Sequence, residues 1–317
     1  MHKPIVIASR QSPLAVAQAV AVRAMLGAAA GLPQDAWEAA FPLKTYVTSG
    51  DKNLQDTLAD AGGKGLFVKE VEGALLSGEA DVAVHSMKDM PAVMPAGLAL
   101  AAVPPREDPR DAFVTLDGAA LQEIPEGATI GTSSVRRAAQ VRRLRPDLNI
   151  VPFRGNVQTR LEKLARGDAD GTFLAEAGLR RLGRDDVKRH AMEPSEMLPA
   201  LGQGILCVQT RTGDDRALEL CQAISCAATA MASAVERAFL ARLDGSCRTP
   251  MAGLAVAHDG QVQFQAEILS LDGQHAEICD EQFAPRDHDH AAASGRDLAD
   301  NLLSAAGPEL RLALRAS

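Results

Sequence analysis

Residues 80–91 of the chain, ADVAVHSMKDMP, give the clearest indication of the fold. Val82 and Val84 alternate with Ala83, which is typical of a buried strand. The segment then becomes polar and ionisable until Pro91 ends regular structure. Because ligands bind at the carboxyl ends of strands in open α/β sheets, the hydroxyl, ammonium and carboxylate groups of this segment predict a site. A capped strand end with a solvated Lys–Asp pair is the alternative.

Strand and helix patterns alternate along most of the chain, which predicts an α/β fold. Ser12 followed by Pro13 predicts the start of a helix that continues to about residue 30. Free N–H groups at that helix start, together with Arg10, are suited to an anion. The charged, proline-rich residues 104–111 predict a crossing between two domains. Further strands are predicted at residues 5–8, 43–47, 97–103, 129–131, 150–153, 171–175, 201–211, 252–257, 262–270 and 276–283, and a final helix at 291–314.

Basic residues are concentrated in the second α/β pattern. Residues 130–184 carry 12 Lys and Arg against 5 Asp and Glu, in a chain whose net charge is −8. Several of these arginines follow predicted strands directly, where their planar forks can bind carboxylate or phosphate. A solvated basic helix face is the alternative, but the positions at strand ends favour a polyanionic ligand.

Composition excludes several classes of function. The 317 residues allow two or three domains, and the 3% aromatic content with net acidity argues against nucleic-acid binding. No apolar stretch is long enough to span a bilayer, and the N-terminus lacks a secretory pattern, so no membrane partner is expected. The five cysteines lack zinc spacing, and the His288-Asp289-His290 run is not expected to bind metal. A reducing cytoplasm is predicted, and no coiled-coil heptad or exposed apolar stripe argues against a monomer.

A series of motifs occurs in order from residue 7 to residue 250: IASRQSPLAVAQA, GGKGLFVKEVEGALL, ADVAVHSMKDMP, REDPRDAF, IGTSSVRRAAQ, RGNVQTRLEKL, LAEAGLRRLG, LGQG and LDGSCRTP. Together these motifs resemble the hydroxymethylbilane synthase family, also called the porphobilinogen deaminases. The resemblance implies three α/β domains, of which the first two are similar to type II periplasmic binding protein lobes and the third is small and carries a cofactor cysteine. The predicted ranges are 1–104 with about 201–222, then 105–200, then 223–317.

The resemblance also implies an activity, that of a transferase. Such an enzyme condenses four porphobilinogen molecules head to tail on a covalent dipyrromethane, releases ammonia at each step, and hydrolyses the product to hydroxymethylbilane. It implies that Cys247 holds the cofactor by a thioether and that Asp89 is the catalytic carboxylate. The implied cofactor contacts are Lys64, Ser86, Lys88, Thr132, Ser134, Arg136, Arg137 and Arg154, and the implied substrate contacts are Arg10, Ser12, Arg154, Arg160 and Arg181.

These residue types suit that chemistry. Each pyrrole brings two carboxylates, which several arginines can neutralise. A fixed carboxylate can stabilise the cationic azafulvene left by deamination and can relay protons. A thiolate is a strong nucleophile for capturing an azafulvene, and Cys247 lies in a Gly-Ser loop. An inert buried thiol fits the other cysteines better; these are Cys207, Cys221, Cys226 and Cys279.

Two departures from the family pattern and two other functions remain open. Glu176 stands where the family has a small apolar residue, and it must be turned away or paired; the strand after Gly204 also diverges. A non-catalytic, two-lobed cytoplasmic binding protein for an anionic small molecule explains the arginines but not the cysteine loop or Asp89. A nucleic-acid-binding protein that uses residues 130–184 is disfavoured by composition.

Overall fold

The structure, a computed structural model, describes residues 3–48, 68–243 and 249–315. The predictions for Lys64 and Cys247 lie outside the described residues. The strands are β1 (Ile7–Arg10), β2 (Leu43–Tyr46), β3 (Val82–Ser86), β4 (Leu98–Ala102), β5 (Asp111–Val114), β6 (Thr129–Gly131), β7 (Asn149–Val151), β8 (Gly171–Ala175), β9 (Arg189–Ala191), β10 (Leu206–Arg211), β11 (Met251–His258), β12 (Gln261–Leu269) and β13 (Ala276–Phe283). The helices are α1 (Pro13–Ala29), α2 (Trp37–Ala40), α3 (Lys69–Leu76), α4 (Val135–Leu144), α5 (Val157–Ala165), α6 (Glu176–Arg181), α7 (Asp215–Gln222), α8 (Ala227–Arg242), α9 (His288–Ala305) and α10 (Pro308–Arg315).

Two of the sheets have the same plan. In the described residues the first has the order β2-β1-β3-β10-β4 and the second the order β7-β6-β8-β5-β9. The fourth strand of each sheet is antiparallel to the third and belongs to the segment that has just crossed from the other lobe. The chain therefore crosses twice between two similar lobes, and residues of both crossings lie between them.

Buried apolar side chains hold each lobe together. Val82 and Val84 on β3 pack against Val22 and Leu26 on α1, which Ser12 caps through its side chain. A buried strand flanked by helices needs such continuous apolar residues, and they leave the polar residues to the strand's end. The segment after β3 is a single 3-10 turn, Met87–Asp89. The polar residues that follow β3 therefore lie directly at the carboxyl end of this strand in the first sheet.

The third part is a three-stranded antiparallel sheet, β11-β12-β13, packed on α8 and α9. Phe239 of α8 and Phe264 of β12 meet edge to face, with ring centroids 5.1 Å apart. The predicted α/β class with three parts is confirmed. The strands of each sheet fall inside the predicted domain ranges, whose exact boundaries remain a prediction.

Several local predictions were wrong. β5 and β9 were not predicted. Asp111 stands at the start of β5, and its charge can be buried there only because residues distant in the sequence pair with it. Residues 37–40, for which no element was predicted, form α2. The final helix is divided between α9 and α10, since Pro308 cannot donate a helical hydrogen bond.

Among the described residues, no single helix combines the length and hydropathy needed to cross a bilayer. The consecutive helices α7 and α8 together have the length and composition of a membrane span, but they are bent by 113° at the break between them.

Candidate active site

A pocket lies where β1, β3 and the start of α1 meet. Its lining includes Arg10, Ser12, Leu14, Gln18, His85, Ser86 and Asp89. Ser86 Oγ accepts a hydrogen bond from Gln18 Nε2 at 2.9 Å, so the end of β3 is fixed against α1. The Asp89 side chain belongs to an exposed residue, and no hydrogen bond or ion pair within the described ranges engages its carboxylate. The predicted residues Arg10, Ser12, Ser86 and Asp89 are therefore neighbours around one opening.

Lys88 points from the same turn toward the second lobe. Its Nζ donates to Gln203 Oε1 at 3.1 Å. Burial lowers the pKa of Lys88 to about 8, while the Asp89 charge opposes this shift and the Arg137 charge adds to it. Charges on the second lobe thus influence the pKa of Lys88 on the first lobe, as expected for a site between the lobes.

Asp111, at the start of β5, is the acidic centre of the second lobe's side of this cleft. It is completely buried, with Arg136 Nη1 2.7 Å from Oδ2 and Arg137 Nη2 2.6 Å from Oδ1. Burial alone would raise the pKa of Asp111, but the Arg136 and Arg137 charges outweigh burial and hold that pKa far below its usual range. Both predicted cofactor arginines are accordingly buried and paired with a carboxylate of the protein.

Gln203 joins these two groups, and the sequence analysis assigned it no role. Its Nε2 donates to Asp111 Oδ1 at 2.9 Å and to the Pro109 carbonyl at 2.7 Å, while its Oε1 accepts from Lys88. A continuous chain of polar contacts therefore runs from the Asp89 turn to the Arg137 guanidinium. The signal that could have identified it is a glutamine between two glycines in an otherwise apolar stretch, LGQGIL.

Arg160 carries a positive charge for which the described residues supply no ion pair. Its Nε donates to the Gly155 carbonyl at 2.9 Å. Burial, together with the neighbouring Arg137 and Arg154 charges, lowers the pKa of Arg160 to about 10. Like charges brought together in a half-buried site are unfavourable unless an anion joins them. This donor set suits a ligand with several carboxylates.

The remaining predicted contacts of the second lobe lie at element ends. Thr132 Oγ1 accepts from the Ser134 backbone N–H at 3.2 Å, and Ser134 caps α4 by accepting from the Arg137 backbone N–H at 3.4 Å. Arg181 Nη2 donates to the Gly204 carbonyl at 2.7 Å, and burial lowers its pKa. These side chains hold the arginine-bearing helices in place, whatever else they bind.

Glu176 is paired. Its carboxylate, 3% exposed, accepts from Arg189 Nη2 at 2.8 Å and from Arg180 Nε at 3.2 Å. Because both guanidiniums neutralise it, its charge does not oppose an anionic ligand. The strand that follows Gly204 is β10, which pairs with β3 and β4 in the first sheet.

The described cysteines differ in environment. Burial raises the pKa of Cys207 and of Cys221 to about 12, and that of Cys279 to about 11, so these thiols are unreactive. Cys226 departs from the prediction of an inert buried thiol, since it is half-buried at the start of α8 and hydrogen bonds involving Thr229 lower its pKa. His288 and His290 open α9, and no group of three metal-binding side chains is found among the described residues.

The chain is similar to known proteins over most of its length. Residues 5–219 match the family "Porphobilinogen deaminase, dipyromethane cofactor binding domain", and residues 230–304 match "Porphobilinogen deaminase, C-terminal domain". The porphobilinogen deaminase of Paracoccus denitrificans (strain Pd 1222) is 51% identical over 301 residues, which cover 95% of this chain and 94% of that protein.

Solved structures with similar folds are more distant. The VFT2 domain of Bordetella pertussis BvgS, as a double mutant, is 16% identical with a TM-score of 0.40 and covers 70% of this chain and 85% of its own. The second substrate binding domain of a putative amino acid ABC transporter from Streptococcus pneumoniae is 12% identical with a TM-score of 0.42, covering 69% of this chain and 90% of its own.

Proposed function

The chain belongs to the porphobilinogen deaminase family, and from that premise we propose that it is a hydroxymethylbilane synthase. It joins four porphobilinogen molecules head to tail on a dipyrromethane held by Cys247, and it releases an ammonia with each addition. Water then frees the linear tetrapyrrole. We further propose a monomeric, cytoplasmic transferase with no nucleic-acid or membrane partner.

The residues of the cleft fit the dipyrromethane. The observation that carries the proposal is Arg160, half-buried among arginine charges with no ion pair in the described part of the chain. A ligand with several carboxylates supplies the missing negative charge. When bound, the dipyrromethane provides the pyrrole carbon to which new units are added. The side chains proposed to hold it are Lys64, Ser86, Lys88, Thr132, Ser134, Arg136, Arg137 and Arg154.

The substrate's carboxylates are proposed to bind Arg10, Ser12, Arg154, Arg160 and Arg181. Charge-assisted hydrogen bonds of this kind contribute roughly 1.5–3 kcal/mol each. Arginine suits the task because its fork matches a carboxylate and its charge is independent of pH in the working range. Because the arginines come from both lobes, a growing chain with two carboxylates per ring can remain bound as it lengthens.

Asp89 is proposed to act on the reacting atoms. Its carboxylate lies at the opening of the pocket with no competing ion pair in the described residues, so it is available to a ligand. Negative charge beside pyrrole N–H groups stabilises the positive charge that develops when an amine leaves. The same carboxylate can hold a proton and pass it to the leaving nitrogen. A binding protein without catalysis needs the arginines but gives this carboxylate no task.

The test is ammonia release from porphobilinogen by the wild-type protein and by Asp89→Asn. We expect kcat to fall by ~10²-fold or more, because acid–base and electrostatic contributions of one group are of that size. Thermal stability should be unchanged, since the side chain is exposed.

Asp185→Asn is the matched control, because Asp185 is an exposed carboxylate elsewhere on the second lobe. Turnover in Asp89→Asn at the wild-type rate would refute the role of Asp89. A wild-type protein that releases no ammonia would refute the proposed function.

A further inference from the structure

Arg237, on α8 of the third part, contacts the segment that carries Asp89. Its Nη2 donates to the Pro91 carbonyl at 3.1 Å and to the Ala92 carbonyl at 3.0 Å, and its Nη1 lies 3.5 Å from Met87 Sδ. The three acceptors stand on both sides of Asp89 in the chain. One guanidinium therefore bridges the two ends of the 87–92 segment.

The charge of Arg237 has no carboxylate partner among the described residues. Burial lowers the pKa of Arg237, which means that the charged form loses solvation free energy. Hydrogen bonds to neutral carbonyls offset only part of that loss. Arg242, farther along the same helix, shows the usual arrangement, an exposed ion pair with Asp300 at 2.6 Å. Arg237 is shielded from water and has no counter-ion among the described residues. We therefore interpret its hydrogen bonds to these carbonyls as contacts that position the 87–92 segment.

The helix that carries Arg237 is itself fixed by the preceding residue. Glu236, 1% exposed, lies 2.6 Å from Arg106 Nη1 and accepts from the Ala255 backbone N–H at 2.7 Å. It also accepts from the Gly202 backbone N–H in the second crossing. α8, the helix that carries Arg237, is thus attached to both crossings and to β11.

We propose that Arg237 is a positioning residue that fixes Asp89 relative to the chain leading to Cys247. α8 ends at Arg242, and Cys247 follows five residues later in the sequence. Asp89 and Cys247, the two groups proposed to act on the same pyrrole chain, come from different parts of the molecule. Arg237 contacts the segment that carries Asp89 and lies on the helix that precedes Cys247 in the sequence. This inference rests on the proposed function, because it assigns Asp89 a partner for that reaction.

The experiment compares Arg237→Met, Arg237→Lys and the control Arg242→Met in two measurements. The first is hydrogen–deuterium exchange of the proteins as purified, read on the peptide that covers residues 86–94. The second is kcat and KM for porphobilinogen. We expect faster exchange of that peptide in Arg237→Met and a kcat lower by ~10-fold or more, since a 1 Å misplacement of a reacting group can cost ~10²-fold.

KM should stay within about 2-fold of the wild-type value, because Arg237 contacts protein carbonyls and not the substrate. Arg237→Lys should recover part of both effects, since an ammonium can still donate to the carbonyls. Exchange and kcat in Arg237→Met equal to those of Arg242→Met would overturn the inference, as would faster exchange with an unchanged kcat. If the wild-type protein releases no ammonia, the proposed function fails while the exchange measurement still reports whether Arg237 holds the segment.

Discussion

His85 lies buried beside the Asp89 pocket although its ring can carry a charge. Gln209 Nε2 donates to Glu72 Oε1 at 2.9 Å, so Gln209 presents its oxygen to His85 Nε2 at 3.1 Å. The imidazole is therefore the donor and is neutral with its proton on Nε2. Burial lowers the pKa of His85 to about 4, the hydrogen bond with Gln209 opposes that shift, and the Arg10 charge adds to it.

This burial predicts a loss of stability in acid. The unfolded His85 binds a proton near pH 6.5 and the folded one near pH 4, so the unfolded state holds more protons between these values. Folding is then weakened as the pH falls, by about 2 kcal/mol between pH 8 and pH 5. His85→Gln should lack this component, because an amide can donate to Gln209 without titrating.

The measurement is urea unfolding of both proteins at pH 8 and pH 5. A smaller pH dependence in His85→Gln supports the neutral, buried imidazole. An identical pH dependence in the two proteins would contradict it.

At the scale of elements, the second crossing joins the two lobes at the bottom of the cleft. Gln203 contacts Lys88 on one side and Asp111 on the other, with distances of 3.1 and 2.9 Å. The adjacent glycines make this contact possible, because Gly202 and Gly204 have φ of 77° and 85°, and a Cβ on Gly204 would lie 2.3 Å from the Glu107 carbonyl oxygen. The LGQG segment is therefore closely packed against the first crossing, and it places the side-chain amide of Gln203 in contact with both lobes.

Replacing Gln203 should reveal this connection. Gln203→Leu should destabilise the protein by about 1–3 kcal/mol, because Lys88 and Asp111 each lose a buried polar partner. Gln203→Glu should be destabilised at pH 8, where a second carboxylate lies beside Asp111, and should recover relative to the wild type at pH 5.5. A protonated carboxyl can donate as the amide does, and we expect burial and the like charge of Asp111 to favour this protonated form against the opposing charge of Lys88.

Urea midpoints of the three proteins at both pH values are the readout. Stability of Gln203→Leu within 0.5 kcal/mol of wild type, a difference typical of surface positions, would show that the contact chain contributes little. Equal deficits of Gln203→Glu at both pH values would contradict the contact with Asp111.

The same region shows which elements could be predicted from sequence. β3 was predicted because Val82 and Val84 are locally apolar, and burial of such a strand requires nothing distant. β5 was missed because Asp111 appears in the sequence as part of a charged crossing, whereas Arg136 and Arg137 neutralise it from 25 and 26 positions later. Ion pairs between residues so far apart in the sequence depend on the tertiary fold, so local sequence patterns cannot predict them.

For the whole molecule, three sheets are connected at one place. Arg106 in the first crossing reaches Glu236 of α8, and its Nε donates to the Gln203 carbonyl in the second crossing at 2.8 Å. The third part is therefore attached to the crossings on which the two lobes converge. The third part and the cleft between the two lobes are in this way held in a fixed relation.

The residues that line the pocket could be predicted more completely than the network that supports them. Asp89 and Arg10 were selected because polar residues that end or follow strands come together at one end of a sheet, and the family resemblance added Arg160. Gln203 and Arg237 were not, because each contacts backbone or side chains about 90 to 150 positions away in the chain. Arg136 and Arg137 were expected to meet an anion, and an anion of the protein itself, Asp111, is already beside them.

The most direct test of the whole account is the intact mass of the purified protein, followed by peptide mapping, with Cys247→Ala as the control. We predict a mass excess of two linked pyrrole units, located on the peptide that contains Cys247 and absent from the variant. A wild-type chain that is unmodified, and that remains unmodified after incubation with porphobilinogen, would contradict the proposed synthase.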